Sequence, residues 1–155
     1  MKRIMFVCHG NICRSPMAEL IAKHICRQRG ISDEYYIASS ATSTEEIGNP
    51  VYPPAREELA RHGISASGKR AVQLSSSDAD KYDMFIGMDE ANIRNMRRML
   101  PSSAHGKIYK MMSFADSDAD VADPWYCGGF DRTYRDCYAA AEGLINLLEG
   151  EGIPG

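Results

Sequence analysis

Long hydrophobic runs and an excess of positive charge are both missing from this sequence of 155 residues. Lys2 and Arg3 precede an apolar run, Ile4 to Cys8, that is far shorter than the roughly 20 residues of a membrane span. A net charge of −3 does not favour binding to nucleic acid or to an anionic membrane. We therefore expect a cytoplasmic protein that binds neither.

Metal-binding spacing is also missing from the five cysteines. Cys8 and Cys13 form a C-x4-C pair, but no second pair follows at zinc spacing and no histidine follows either cysteine by three to five residues. We expect reduced thiols, as in a cytosol, and neither a metal nor another cofactor.

The rest of the composition is typical of a globular protein, with 44% hydrophobic and 25% charged residues. A chain of this length can bury the core of one domain, which we place at residues 1–155. Apolar strand-like runs alternate with helix-like segments, which favours a parallel sheet with helices on both faces. We therefore predict a three-layer α/β fold with a four-stranded parallel sheet, of the flavodoxin or Rossmann type.

The predicted strands are 4–8, 35–41, 84–88 and 107–111, and residues 71–74 are a candidate for a further short strand. The predicted helices are 16–28, 53–61, 89–99 and 130–148, a capped turn or short helix is predicted at 75–80, and a long loop at 113–129. Ligands of open α/β sheets bind beyond the carboxyl ends of the strands. The segments that follow the predicted strands should therefore meet at one edge of the sheet.

The stretch that indicates chemistry is Cys8–Pro16, which reads CHGNICRSP and lies between the first strand and the first helix. The thiolate is the reactive form of cysteine, and helix N-termini and nearby cations favour it. The amides of residues 9–14 could turn inward around one centre, with the positive end of the helix dipole behind them. Such a nest of N–H groups binds a phosphate-like anion and also stabilises a thiolate. We interpret the stretch as a phosphate-binding loop with Cys8 as its nucleophile.

The residue types of this loop fit that interpretation. Gly10 permits unusual backbone dihedrals, and Asn11 tolerates a left-handed conformation better than most residues do. The planar guanidinium of Arg14 can bind two oxygens of a phosphoryl group, and Ser15 can donate a hydrogen bond to the sulfur or cap the helix. The other phosphate-binding positions are expected to contribute mainly their amides, and they are His9, Ile12 and Cys13.

The alternative interpretation of Cys8 is a buried cysteine at the end of a strand, which is the usual position of a lone cysteine. A bare C-x5-R match would favour that alternative. Gly, Asn, Ser and Pro at a transition from strand to loop to helix favour the nucleophile instead.

The loop resembles the signature of the low-molecular-weight protein tyrosine phosphatases, C-x-x-G-N-x-C-R-S-P. Three further blocks follow in the order of that family, namely Ser39–Pro50, Met88–Asn92 and Asp123–Tyr126. The resemblance implies hydrolysis of phosphotyrosine and small aryl phosphates through a cysteinyl-phosphate, without a metal. The implied partners are tyrosine-phosphorylated proteins, with a bacterial tyrosine kinase as one candidate, and the chain is expected to be a monomer or a weak homodimer.

The resemblance also implies roles for individual residues. The catalytic residues would be Cys8, Arg14 and Asp123, with Asp123 as general acid and then general base. The substrate cleft would contain Ile12, Trp125 and Tyr126. The loop would be supported by Asn11, Ser15 and Ser39. Cys13 would be either a redox partner of Cys8 in a reversible disulfide or a small residue packed under the loop.

Two positions depart from the family pattern. Glu45 stands where relatives from animals often have an aromatic residue, so one wall of the cleft is expected to be missing. A histidine usually joins the loop-support network from the segment after His-Gly-Ile, where this chain has Gly68-Lys69-Arg70. The network is therefore expected to be smaller or completed differently.

Four other functions deserve comparison. A protein-arginine phosphatase on the same scaffold tends to have Thr in place of Ile12, and an arsenate reductase needs further cysteines in 78–92, where this chain has none. A phosphotyrosine-binding module without catalysis would have lost Cys8, Arg14 or Asp123, and all three are present. A metal-binding or redox-sensor role for Cys8 and Cys13 would leave the arginine and the aspartate unexplained.

Overall fold

A parallel sheet of four strands forms the centre of the structure, a computed structural model that describes residues 1–124 and 129–154. The strands are β1 Lys2–Cys8, β2 Tyr35–Ala41, β3 Met84–Gly87 and β4 Ile108–Lys110. Their order across the sheet is β2-β1-β3-β4, and each neighbouring pair is parallel. The predicted four-stranded parallel sheet is confirmed.

Among the described residues, the helices that cover this sheet are α1 Arg14–Gln28, α2 Pro53–Arg61, α3 Glu90–Met99 and α4 Phe130–Glu151. Short 3-10 helices lie at Ser32–Glu34, Ser76–Asp80, Ser102–Lys107 and Met111–Ala115. No helix within the described ranges combines the length and the apolar character that crossing a membrane requires.

The alternation of side chains along β1 explains why helices lie on both faces. Ile4 and Phe6 pack into the core that contains residues of α1, α2 and α4. Met5 and Val7 pack into a second core, on the side of α3. A strand that is buried on both faces has a continuous apolar sequence, and this is the run at the start of the chain. The three-layer prediction is confirmed.

The polypeptide after β2 differs from its prediction. Residues 71–74 do not form a strand; the pairing is reduced to isolated bridges, Ala41 with Gln73 and Pro50 with Arg70. β2 ends at Ala41, whose N–H donates to Val72 O and whose O accepts from Leu74 N. The segment therefore meets β2 only at the last residue of that strand, and one bridge does not make a ladder.

Two further predictions concern the polypeptide that follows β4. The predicted long loop 113–129 begins inside the 3-10 helix Met111–Ala115, which ends where Asp116 adopts a left-handed φ of 56°. Trp125 and Tyr126, the predicted aromatic wall of the cleft, lie outside the described residues.

Candidate active site

Cys8 is the last residue of β1 and lines a cavity of about 460 Å³ at the carboxyl edge of the sheet. The loop 8–14 forms one side of this cavity, and the other lining residues include Glu45, Glu46, Asp89 and Asp123. The strand ends therefore meet at one edge, as an open parallel sheet requires of a ligand site.

The sulfur of Cys8 is buried and has two polar neighbours from its own loop. Ser15 Oγ lies 3.0 Å from Cys8 Sγ, and the amide of Asn11 donates to the same sulfur at 3.3 Å. Cys13 precedes α1 and provides no side-chain cap, so the first N–H groups of the helix are left for an anion in the loop. Two roles are predicted for Ser15, a hydrogen bond to the sulfur and a cap of the helix. The structure shows the contact with the sulfur.

The backbone carbonyls of the loop accept hydrogen bonds from the polypeptide that follows β2. Thr42 N donates to Cys8 O at 2.9 Å, and Ser43 N donates to His9 O at 3.0 Å. Tyr52 N donates to the carbonyl of Ile12 at 2.9 Å. Because these carbonyls face the segment after β2, the loop can direct its N–H groups inward.

Asn11 connects this loop to the body of the protein. Its φ is 59°, a left-handed conformation that asparagine tolerates, and the residue is only 1% exposed. Its Nδ2 donates to Ser15 Oγ at 2.7 Å and to Ser39 Oγ at 2.9 Å. Its Oδ1 accepts from the backbone of Val72 at 3.1 Å. The side-chain amide thus uses both of its N–H groups and its oxygen, in the arrangement predicted for loop support.

Arg14 is the first residue of α1, and its side chain is only 9% exposed. Its Nη2 donates to Asp89 Oδ2 at 2.9 Å, and its Nη1 donates to Val121 O at 3.4 Å. Burial opposes the charge, but the negative charges on Cys8, Asp89 and Asp123 outweigh it and raise the pKa of Arg14. The guanidinium therefore remains charged beside the sulfur.

Asp89 is a site residue that sequence reasoning missed. Its Oδ1 accepts from Asn92 N at 2.8 Å and caps α3, while its Oδ2 accepts from Arg14. The sequence signal was the Asp89 to Asn92 spacing, which marks a helix start. That pattern identifies a cap but gives no information about the second oxygen.

Asp123 faces Arg14 across the cavity, with its Oδ2 3.9 Å from Arg14 Nη2. The residues before it are bound by main-chain contacts. Val121 N donates to Met88 O at 2.9 Å, and Ala122 N donates to Asp136 Oδ2 at 2.9 Å. Thr133 Oγ1 donates to Ala122 O at 2.8 Å. The carboxylate is thus positioned by two elements, the end of β3 and α4.

The mouth of the cavity is polar on the side of the segment after β2. His9 Nε2 lies 3.1 Å from Glu45 Oε2, and their side chains are 58% and 69% exposed. Ile12 is half-buried and contributes an apolar patch to the lining. Glu45 thus pairs with the loop histidine at the mouth of the cavity.

The other buried thiols near the loop differ from Cys8 in their surroundings. Burial, together with the adjacent charge of Cys8, raises the pKa of Cys13 to about 12. Cys137 of α4 is also buried, which raises its pKa to about 12, and its Sγ donates to Arg14 O at 3.9 Å. Both therefore remain thiols at neutral pH. A disulfide between Cys8 and Cys13 stays a prediction.

No metal-binding site is evident in the part of the chain that the structure describes. Among those residues, no three His, Cys, Asp or Glu side chains are grouped so that they could hold an ion. The charged groups of the cavity are instead paired with one another, as Arg14 is with Asp89.

A buried cysteine, an arginine and a helix N-terminus around one loop define a thiol-based phosphate site. The family model described as low molecular weight phosphotyrosine protein phosphatase matches residues 3–151. The chain therefore belongs to this family, and it is a protein tyrosine phosphatase of the low-molecular-weight class.

Two named proteins show how far the similarity extends. The low molecular weight protein-tyrosine-phosphatase YfkJ of Bacillus subtilis is 37% identical over 150 residues, which cover 96% of each chain. Its crystal structure superimposes with a TM-score of 0.92 and covers 97% of this chain and 96% of its own. The protein tyrosine phosphatase of Entamoeba histolytica, solved with Hepes in its active site, gives a TM-score of 0.90 at 29% identity, covering 97% and 98% of the two chains.

Proposed function

We propose that this protein hydrolyses phosphotyrosine in proteins, and small aryl phosphates, in two steps through a cysteinyl-phosphate. The observation that supports this most directly is the position of Cys8, Arg14 and Asp123 around one cavity. Cys8 lies at the base of the phosphate loop, and Asp123 lies across from it, 3.9 Å from the guanidinium. This arrangement leaves room for a phosphoryl group between a nucleophile and a proton donor.

In the first step, the thiolate of Cys8 attacks phosphorus. The S–P bond forms while the bond from phosphorus to the phenolic oxygen breaks, and the electron pair of that bond goes to the leaving oxygen. Asp123 transfers its proton to this oxygen, because phenolate is a much poorer leaving group than phenol. Asp123 is then a carboxylate, and the phosphoryl group is bound to the enzyme.

The developing charge on the phosphoryl oxygens is stabilised by groups that are already in place. Arg14 presents a planar guanidinium, which Asp89 holds at 2.9 Å, and it can bind two equatorial oxygens. The inward amides of the loop and the N-terminus of α1 contribute further donors and a favourable dipole. Since these groups are fixed before substrate arrives, little reorganisation is needed during the reaction.

In the second step, a water molecule attacks phosphorus on the side that the phenol has left. Asp123 takes the proton of that water, the O–P bond forms, and the S–P bond breaks with its electron pair returning to sulfur. Ser15 lies 3.0 Å from that sulfur and can donate to the returning thiolate. Inorganic phosphate is released, and both groups are back in their starting states.

Phosphotyrosine is the substrate class that these residues favour. Ile12 offers an apolar surface near the mouth, as expected for an aromatic ring, whereas a protein-arginine phosphatase tends to have Thr there. The names of the relatives, protein-tyrosine-phosphatase, support the same class. We further propose cytoplasmic tyrosine-phosphorylated proteins as substrates, a bacterial tyrosine kinase among them, and a monomeric or weakly dimeric enzyme.

The test is hydrolysis of phenyl phosphate and p-nitrophenyl phosphate in the presence of EDTA. Cys8→Ser should lose activity by on the order of 10⁶-fold, because the weak hydroxyl nucleophile replaces a thiolate. Asp123→Asn should lose about 10² to 10⁴-fold in kcat/KM for phenyl phosphate and much less for p-nitrophenyl phosphate, whose leaving group needs less protonation. Full activity of Cys8→Ser, or abolition by EDTA, would contradict the mechanism.

Substrate class is tested separately with matched phosphotyrosine and phosphoarginine peptides. We expect a higher kcat/KM for phosphotyrosine in the wild-type enzyme. The variant Ile12→Thr should shift the ratio toward phosphoarginine if this residue sets the preference. A preference of the wild type for phosphoarginine would overturn the proposed substrate while leaving the thiol mechanism intact.

A further inference from the structure

Lys69 is not among the residues that line the cavity, but it contacts residues that support the phosphate loop. Its Nζ donates to the backbone carbonyl of Ser39 at 3.1 Å and lies 3.4 Å from Glu19 Oε1. The Lys69 side chain is only 14% exposed, and that of Glu19 is only 6% exposed. A lysine from the segment after α2 therefore contacts both β2 and α1 at the place where they support the loop.

Glu19 is a buried carboxylate, which is stable in a protein interior only when it is paired and hydrogen-bonded. Its Oε1 accepts from Ser39 Oγ at 2.6 Å, and its Oε2 accepts from Lys23 at 2.6 Å. Lys23 is on the solvent side, with 41% of its side chain exposed. Lys69 is thus the buried cation on the same oxygen that binds Ser39.

The hydrogen bonds that start at Glu19 run in one direction only. A hydroxyl has a single hydrogen, so when Ser39 donates to Glu19 it must accept from Asn11 Nδ2. The other N–H of Asn11 Nδ2 is donated to Ser15 Oγ, which leaves the hydrogen of Ser15 for the sulfur of Cys8. A carboxylate can only accept, so its position sets the direction of every later bond.

We propose that Lys69 is a positioning residue for the phosphate loop. Lys69 holds the Glu19 carboxylate and the Ser39 backbone in one fixed relation, so that Ser39 presents its acceptor side to Asn11. The positive charge of Lys69 completes the support network. In the family that the sequence resembles, a histidine from the same segment usually joins this network. The proposal rests on the proposed function only for its kinetic readout.

Removing the Lys69 ammonium should act on the loop through the neighbouring hydroxyl. Without Lys69, Glu19 retains Lys23 at Oε2, and Oε1 is free to shift toward Lys23. Ser39 Oγ, which donates to that Oε1 and accepts from Asn11 Nδ2, would shift with it and weaken its contact with Asn11. Small displacements of catalytic groups have large kinetic effects, and a shift of about 1 Å can reduce the rate by on the order of 100-fold.

The matched control is Lys107, another half-buried lysine whose Nζ donates to backbone carbonyls. Its acceptors are Ala79 O at 2.8 Å and Tyr82 O at 3.1 Å, and none of the three residues lines the site cavity. Lys69→Met and Lys107→Met each remove one ammonium and its hydrogen bonds. A purely structural role would lower the melting temperature in both and kcat in neither.

The experiment compares wild type, Lys69→Met, Lys69→Arg, Lys69→Gln and Lys107→Met. Measured quantities are kcat and KM for p-nitrophenyl phosphate, the rate of Cys8 alkylation by iodoacetamide with and without inorganic phosphate, and the melting temperature. We expect Lys69→Met to reduce kcat by about 10-fold or more, with a smaller change in KM, and to weaken protection by phosphate. Lys69→Arg should recover most of the loss, and Lys107→Met should stay within about 2-fold of wild type.

The outcomes separate this proposal from the proposed function. Wild-type kcat and alkylation in Lys69→Met, or equal losses of kcat in Lys69→Met and Lys107→Met, would overturn the role of Lys69. An inactive wild type would overturn the proposed function, and phosphate protection of Cys8 would still decide about Lys69. If Lys69→Met does not fold, Lys69→Gln, which retains a donor without the charge, is compared with Lys107→Met instead.

Discussion

The two walls of the candidate site are held in place by different means. The loop around Cys8 is supported by buried side chains, since Asn11 alone makes hydrogen bonds to Ser15, Ser39 and the backbone of Val72. The segment before Asp123 is supported mainly through its backbone, by hydrogen bonds from and to Ala122 and Val121.

This difference corresponds to what each wall has to do. A loop that stabilises a thiolate and a phosphoryl group needs fixed donors, and saturated side-chain networks provide rigidity. A general acid has to donate a proton, bind water and accept a proton in turn, so its anchoring is placed on neighbouring residues. Substitutions on the first wall should therefore affect all substrates, and substitutions on the second wall should depend on the leaving group.

The largest effect in this comparison is expected for Asn11→Ala. The substitution removes three hydrogen bonds and places alanine at a φ of 59°, so we expect a loss of about 2–4 kcal/mol in unfolding free energy. We also expect kcat/KM to fall by on the order of 100-fold for both good and poor leaving groups. Chemical denaturation and steady-state kinetics measure these two quantities.

Asn11→Gly is the control for that substitution. Glycine adopts positive φ without strain, so it isolates the loss of the side-chain hydrogen bonds from the backbone cost. We expect a smaller loss of stability than in Asn11→Ala but a similar loss of activity. Wild-type kinetics in Asn11→Gly would show that the side-chain network is not needed for the loop.

A smaller and more selective effect is expected for Thr133→Val. The Thr133 hydroxyl donates to Ala122 O, next to Asp123, and valine has the same shape without the donor. We expect a loss of about 1–3 kcal/mol in stability, because a buried carbonyl loses its partner. We expect kcat/KM to fall about 3- to 10-fold for phenyl phosphate and less than about 2-fold for p-nitrophenyl phosphate.

Thr133→Ser, which keeps the hydroxyl and loses only the methyl group, serves as the matched control for this wall. Its ratio of kcat/KM between the two substrates should equal that of the wild type. Equal losses for both leaving groups in Thr133→Val would mean that the Ala122 contact positions the whole cavity rather than the acid.

The smallest kinetic effect is expected far from both walls, at the contact between β2 and α4. Tyr35 Oη donates to Glu149 Oε2 at 2.6 Å, and burial and this hydrogen bond raise the pKa of Tyr35 above its usual value. A raised pKa gives stability that is complete below the unfolded value of about 10 and is lost as pH rises toward the folded value. Burial raises the pKa of Tyr82 to about 12, with the same sign.

We therefore expect wild-type stability to fall as pH rises above about 10, and to fall less steeply in Tyr35→Phe. Denaturation at a series of pH values measures this slope. Activity near neutral pH should be unchanged, because Tyr35 lies outside the cavity. A parallel pH slope in the two proteins would mean that another group dominates the alkaline transition.

Much of this structure could be predicted from local sequence patterns. Each predicted strand except 71–74 exists, and the signal is strongest in β1 and β3, because an apolar run buried on both faces is a local signal that the environment does not reverse. The Cys8 loop was predictable because its cysteine, glycine, asparagine and arginine are close together in the chain. The prediction of a strand at 71–74 was wrong because this segment meets β2 only at Ala41, the last residue of that strand, and no local pattern reports where two distant segments meet.

Contacts between distant segments were the part that sequence could not supply. The second oxygen of Asp89 reaches Arg14 across 75 positions, and Lys69 reaches Ser39 across 30. Capping rules and family patterns describe each residue in its own segment. Which of its atoms faces another segment depends on the order of strands across the sheet.

The central place of β1 has a consequence for how the protein becomes active during synthesis. β1 pairs with β2 on one side and with β3 on the other, and Cys8, its last residue, is made before either neighbour. β1 lacks one of its two neighbouring strands until residue 87 has followed, and the segment before Asp123 has its anchors only once Thr133 and Asp136 of α4 are made. A nascent chain therefore holds the Cys8 thiol well before it can assemble the cavity around it.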